Sequence, residues 1–276
     1  MPNDELVLYA PGPRGTKNYS ILVANGPICY SGMGFASGTS CFPLNIKSEG
    51  MFSGELESNI TDSSAEYFGL SKDELFYYVY GLLHSTEYQE KYDAELHKIL
   101  PRLPLVSEKE KYVEVGRKLA DLHLNYENQP SYEGVQVNIS DVNGSYRVKK
   151  MKHPKKGVLD TIVYNENITI TNIPEQAYEY VVNGRPAIEW IIDQYQVKTE
   201  KKSGITDDPN EFSDDPKYIL NLLLSVITVS MKTIDLVGQL PKFEVVDDSQ
   251  THRDEIYPLG NDGDLPMVAE KSFEIK

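Results

Sequence analysis

The sequence predicts an α+β fold, in which a helical hairpin and later helices pack around an antiparallel β meander. Three observations lead there. Apolar residues recur at i, i+4 and i+7 through residues 71–126, the spacing of a helix with one buried face. Between about 134 and 173 the period falls to two, with turn residues between the runs, which marks hairpins. Helical spacing returns after residue 175.

Residues 5–45 alternate short apolar runs with glycine and proline: "ELVLYAP", "YSILVA" and "PICYSG" predict three short strands, followed by a turning loop at "SGMGFASGTS". That loop is no phosphate cradle, because no GxxxxGK[ST] follows it and the next residues, "CFPLNIKS", do not begin a helix. Residues 46–70 are polar and read as irregular. Ser71 and Glu74 form an S-x-x-E capping box, and Phe76, Tyr80 and Leu83 share a face of the helix it opens. Ser85 caps the next helix, with Tyr88, Tyr92, Leu96 and Leu100 in i, i+4 succession until Pro101 stops it. Ser107 with Glu110 is a second capping box, starting a helix to about Asn125 whose apolar face is Tyr112, Val115, Leu119 and Leu122. His97 and His123 sit beside these stripes with no ligand-forming spacing around them, so both read as structural rather than as a catalytic pair.

From residue 131 the pattern predicts two hairpins. "GVQVNIS" and "SYRVKKMK" flank Asn143-Gly144, a dipeptide that tolerates positive φ at both positions, and "GVLDTIVY" and "ITITNI" flank "NEN". "PEQAYEYVV" and "PAIEWIIDQY" read as helices, and "QVKTEKKSGITDDPNEFSDD" as a charged loop. A long helix follows Asp215-Pro216, with Ile219, Leu222, Leu223, Val226, Val229 and Val237 on its wide apolar face. After Pro241 periodicity is lost and residues 242–276 read as a loose acidic tail. The resulting organisation is a β-rich junction (1–70), a helical spacer (71–127), an α/β part (128–241) and the tail.

At 276 residues the chain is long enough for a full core. Its 19 Tyr against a single Trp favour half-buried faces with polar tips. No apolar run of membrane-spanning length stands out, and "MPNDELVLYA" is no signal peptide, so a cytoplasmic protein without membrane contact is expected. Cys29 and Cys41 are too few for a disulfide framework. The net charge of -15 argues against nucleic acid as a partner until its distribution is considered. Residues 145–156, "SYRVKKMKHPKK", carry six Lys/Arg and no acid. On a strand, Arg147, Lys149 and Met151 would face one way and Tyr146, Val148, Lys150 and Lys152 the other, with His153, Lys155 and Lys156 in the following turn. Such a ribbon fits a DNA major groove, yet an exposed hairpin protected at its edge by lysines has the same appearance, and the residues alone leave both open. The acid pairs Asp207-Asp208, Asp214-Asp215 and Asp247-Asp248 lie in loops and read as solvated or capping groups. No GxSxG, HExxH, Walker or GxGxxG motif is present, which points to a chain that binds rather than transforms.

Four segments in order bring a family into view: "GTSCFPL"; "FYYVYGLLHSTEYQEKYDAELHKILPRLPL" with "GRKLADLHLNYE"; "EYVVNGRPAIEWIIDQYQVKTEKKSGITDDPNEF"; and "DDPKYILNLLLSVITVSMKTIDLVGQLP". From Cys41 to Pro241 the chain resembles the C-terminal specificity region of Type ISP single-polypeptide restriction-modification enzymes, which carry a helicase, and of related adenine-specific DNA methyltransferases. The resemblance implies a target recognition domain that contacts duplex DNA so that a methyltransferase can flip an adenine. It also implies nuclease, helicase and methyltransferase parts as upstream partners. S-adenosylmethionine, ATP and Mg²⁺ would belong to that parent enzyme, and no cofactor to this chain. The chain departs from a complete family member in lacking a Walker A motif and a [DN]PP[YF] motif, whose nearest echo is "DDPN". It is therefore expected to be catalytically silent. The resemblance transfers no base-reading residue. The expected contacts, Tyr146, Arg147, Lys149, Lys150, Lys152, His153, Lys155 and Lys156, rest on charge and geometry. The alternatives are a protein-interaction module that uses the tyrosine-rich helices, and a methyltransferase remnant.

Overall fold

A computed structural model describes residues 6–246, apart from 13–17, 27, 29–32, 34–37 and 48–55. The run LVLYA is buried on both faces and forms the central strand of the first sheet. This strand, β1 (Leu6–Pro11), lies between β2 (Leu22–Asn25) and β3 (Thr39–Pro43), antiparallel to both. The strand expected at "PICYSG" falls largely outside the described residues, as do most of the glycine-rich loop, Asp247-Asp248 and the rest of the tail. The segment expected to be irregular contains a small hairpin, β4 (Asn45–Lys47) with β5 (Leu56–Ser58), and a helix, α1 (Asp62–Phe68). Thr61 caps α1 by accepting a hydrogen bond from the Ser64 N–H at 3.2 Å.

The capping box at Ser71 forms as predicted and opens α2 (Lys72–His84): the Ser71 N–H donates to the Glu74 carboxylate at 2.8 Å, and the Glu74 N–H donates to Ser71 Oγ at 3.3 Å. Ser85 caps α3 (Thr86–Lys91). The tyrosine–leucine stripe is not one helix, because Tyr92 leaves helical dihedrals (φ -113°, ψ 19°) before the single turn α4 (Asp93–Leu96). Tyr88 is instead committed to the core, its hydroxyl donating to the Arg102 carbonyl at 2.7 Å.

The second predicted capping box does not form. Glu108 precedes α5 (Lys109–Leu124) in a left-handed conformation, and the Ser107 N–H donates to the Glu244 carbonyl at 2.8 Å. Residues 242–246 are thus no loose tail: Val245 bridges Val106, and Phe243 is buried against Tyr88. Helices α2 and α5 cross at two glycines, where the backbones meet without side chains between them. They share one apolar core with Leu6, Leu8 and Val23 of the first sheet and with Ile21 just before β2.

The second core has a three-stranded sheet, β6 (Gln136–Ile139), β7 (Ile162–Val163) and β8 (Ile168–Thr171), in the order β6-β8-β7. The hairpin predicted at Asn143-Gly144 is absent. β6 pairs with β8, and residues 145–151 form no strand. Asp141 forms a turn instead, taking the Asn143 N–H on its carboxylate (3.0 Å) and the Gly144 N–H on its carbonyl (2.9 Å), and Asn167 holds that turn by accepting from the Asp141 N–H at 2.7 Å. Gly144 is not in the positive-φ region; a Cβ there would lie 2.4 Å from the Asn167 amide nitrogen. The predicted second hairpin, β7 with β8, is present with a shorter first strand.

"PEQAYEYVV" gives a 3-10 turn (Glu175–Tyr178) rather than an α-helix, then the two-residue hairpin β9 (Val181–Val182) with β10 (Arg185–Pro186). Its turn is Asn183-Gly184, with φ of 52° and 76°, so the type I′ geometry belongs to this dipeptide. Then come α6 (Ala187–Gln194), a hairpin β11 (Lys198–Thr199) with β12 (Thr206–Asp207) inside the predicted charged loop, and α7 (Tyr218–Val237).

By length and apolarity α7 matches a membrane span, against the sequence expectation that no run does; with 67% of its most apolar window buried inside the protein, it is a core helix. Its first turns pack in the second core through Ile219, Leu223 and Ile227, and its end reaches the first through Leu236 and Val237. The joint between the cores is polar. His123 places Nδ1 2.6 Å from the Tyr80 hydroxyl and Nε2 2.8 Å from Thr233 Oγ1. Because the Thr233 hydroxyl donates to the Val229 carbonyl, Nε2–H donates to Thr233 and Nδ1 accepts from Tyr80. One proton on the ring satisfies every partner. Burial, and then the neighbouring His84, hold His123 well below the usual histidine range; burial brings His84 down to about 4. Both histidines are structural here, and His97 lies 3.6 Å from Asp93 on the surface.

Candidate functional site

The basic segment is held by clamps rather than by a sheet ladder. The carbonyls of Ser145 and Arg147 accept from the Asn165 amide (2.9 and 3.1 Å), and that of Tyr146 from the Tyr164 hydroxyl (3.0 Å). Asn210 acts like a strand partner to Val148, accepting from its N–H and donating to its carbonyl, both at 2.8 Å. The Lys149 carbonyl accepts from the Val197 N–H at 3.0 Å, and Lys152 exchanges both backbone bonds with Val163. Buried polar backbone is paired whether or not a strand is present, and here asparagine side chains supply the partners. Val148 and Met151 are fully buried three residues apart, which fixes the segment to the second core.

This anchoring decides which predicted residues reach solvent. Lys149, Lys150, Lys152, Lys155 and Lys156 are exposed, and none has an ion-pair partner among the described residues. Alternation by strand faces fails, since Lys149 and Lys150 are both outward. Arg147 is exposed but ion-paired with Asp208. Asp208 titrates below the usual carboxylate range, chiefly because the Asn210 side chain donates to it, with the Asn210 N–H and Arg147 adding to the effect. Tyr146 is half-buried beneath the Lys217 ammonium, 5.1 Å from the ring centre. His153 is turned to the protein, with Nδ1 3.0 Å from the Thr161 carbonyl and Nε2 2.9 Å from Glu189. The eight positions therefore separate into five free lysines and three groups engaged internally.

The sequence reading missed Asn165, Asn167 and Asn210, the residues that shape the site. The stretches "NEN" and "DDPN" contain them, and their Asx-type turn chemistry was the available signal. Lys201, Lys202 and Lys217 were also outside the predicted set. Among the described residues no group of three His, Cys, Asp or Glu side chains is placed to hold a metal.

Side chains from two loops thus pin a lysine-bearing segment to the second core. The Type ISP C-terminal specificity domain model matches residues 1–222. The chain belongs to that family. Its fold is similar to that of LlaGI, a Type ISP restriction-modification enzyme solved as a nuclease-deletion mutant with a DNA substrate mimic, at 56% identity and a TM-score of 0.77 over 87% of this chain. It is likewise similar to LlaBIII, an ATP-dependent Type ISP enzyme solved bound to DNA, at 56% identity and a TM-score of 0.80 over 87% of this chain. The fold is shared with DrdV, solved as a DNA complex, at 24% identity and a TM-score of 0.73 over 88% of this chain and 25% of that one. The specificity domain spans only 18% of the LlaGI chain and 16% of the LlaBIII chain. No curated protein matches the sequence.

Proposed function

We propose that this specificity domain is a DNA-recognition module that binds duplex DNA and positions a methyltransferase on it. The observation that carries the reading is its 56% identity, over 87% of its length, to two Type ISP enzymes solved with DNA or a DNA mimic. The clamped lysines support it, because cations on a fixed backbone contact phosphates at little cost in ordering. Lys149, Lys150, Lys152, Lys155 and Lys156 are the proposed contacts; Arg147, Tyr146 and His153 brace them. The module has no catalytic role of its own. The S-adenosylmethionine, ATP and Mg²⁺ chemistry of such an enzyme belongs to methyltransferase, helicase and nuclease parts outside these residues, and the setting is the cytoplasm.

Fluorescence anisotropy with duplex DNA at two salt concentrations tests the reading. Affinity should fall as salt rises, and the variant Lys149→Ala, Lys150→Ala, Lys155→Ala, Lys156→Ala should lower the log–log salt slope by about 3 to 4, at about 0.9 per phosphate contact. An unchanged slope in that variant would remove the basic segment from the interface. Calorimetry with S-adenosylmethionine should show no heat of binding, and incubation with DNA and Mg²⁺ no cleavage.

A further inference from the structure

Both ends of the β11–β12 hairpin are joined to the middle of the clamped segment. Its first strand follows Val197, whose N–H donates to the Lys149 carbonyl, and its second leads into Asp208 and Asn210, which hold Arg147 and Val148. Every residue from 198 to 207 is exposed, so neither face of the hairpin packs on the body. A two-stranded ribbon without a packed face contributes little to stability. It is nevertheless closed and ordered within itself. The Glu200 N–H donates to the Ile205 carbonyl and the Gly204 N–H to the Glu200 carbonyl, both at 2.9 Å. The Ser203 hydroxyl donates to the Glu200 carboxylate at 2.6 Å, and the Thr199 and Thr206 hydroxyls meet at 2.9 Å across the strands.

Its charges are divided in the same way. Lys198 reaches Asp193 at 3.8 Å and lies opposite Asp207, while Glu200 is turned to Ser203. Lys201 and Lys202 at the tip have no ion-pair partner among the described residues, and Ile205 beside them is 68% exposed. Unpaired cations with an exposed aliphatic side chain on a narrow ribbon match a DNA groove, where phosphates line the walls and thymine methyls the floor.

We propose that the β11–β12 hairpin is a second DNA-contacting arm, in which Lys201 and Lys202 grip phosphates and Ile205 meets the groove, with its base set by the basic segment. This rests on the DNA-recognition reading above. Duplex DNA is the committed partner because the hairpin is rooted on the backbone that presents the five exposed lysines, through Val197 to Lys149 and through Asp208 and Asn210 to Arg147 and Val148.

The test is anisotropy of the full chain with duplex DNA across a salt series, comparing the unaltered chain, Lys201→Ala with Lys202→Ala, and the control pair Lys47→Ala with Lys98→Ala. Lys47 and Lys98 are also exposed, and their removal changes net charge equally. The tip variant should lower the log–log salt slope by about 2, at about 0.9 per lost phosphate contact, and the control should leave it unchanged. A tip variant with the unaltered slope, or a control that lowers it equally, overturns the arm while leaving DNA recognition standing. An unaltered chain that binds no duplex at low salt overturns both.

Discussion

Replacing Gly116 by alanine gives opposite expectations at two levels of description. By helix propensity alone, Ala should stabilise α5 by about 0.8–1 kcal/mol over Gly. In the fold, a Cβ at 116 would lie 1.9 Å from the Tyr77 carbonyl oxygen and 2.8 Å from the Gly81 nitrogen. Neither is a side chain that can rotate away. Relieving the first contact to even 3.0 Å moves α5 from α2 by about 1.1 Å. A gap of ~1 Å forfeits up to about half of the dispersion energy across a packed interface. Tyr77, Tyr78, Tyr112, Val113 and Leu119 stand to lose it. Overpacking a core costs about 1–3 kcal/mol, and backbone against backbone belongs at the upper end. The net loss is then about 2 kcal/mol, or roughly 4–8 °C in Tm for a protein of this size. Thermal unfolding followed by circular dichroism measures it, with Gly238→Ala as the comparison, since its Cβ would meet the Ile234 carbonyl oxygen at an ordinary 3.4 Å. A Gly116→Ala protein as stable as the unaltered chain would refute the close-crossing account of the helical hairpin.

Other expectations follow from the same structure. His84 and His123 are held neutral when folded, so the unfolded chain binds more protons as pH falls below about 6.5, and stability should drop with falling pH. The loss is roughly 1 kcal/mol per histidine between about pH 7 and pH 5.5, read from urea midpoints; a flat profile over that range would contradict it. Asn210→Ala frees Val148 and should speed tryptic cleavage after Lys149 and Lys150, with mass spectrometry locating the cut; cleavage at the unaltered rate would mean the clamp is unimportant. Thr233→Val leaves a buried His123 N–H without an acceptor and should cost about 1–3 kcal/mol. Gly184→Ala forces a Cβ into a left-handed turn and should cost about 1 kcal/mol or more, whereas Asn143→Ala, whose bond to Asp141 is made by its backbone, should be near neutral.

What the sequence determined by itself is local or compositional. The Ser71–Glu74 box, the buried faces of α2, α5 and α7, the isolated basic run and the family resemblance are all carried by neighbours in the chain. Tertiary structure decided every question of partner. Of the three Asn-Gly dipeptides, those at 143 and 183 are locally equal candidates for a type I′ turn, and of these two the one at 183 makes it, because Asn167, 24 residues beyond Asn143, ties down the Asp141 turn and fills the space beside Gly144. Ser107 has a local capping partner in Glu110 but is taken by Glu244, far along the chain. Periodicity states which face of a segment is apolar, and it is silent about which distant segment covers that face. The basic segment shows the consequence: its lysines were legible as charge, but Val148 and Met151 turning inward, and asparagines from two other loops closing on the backbone, chose which of them face the solvent.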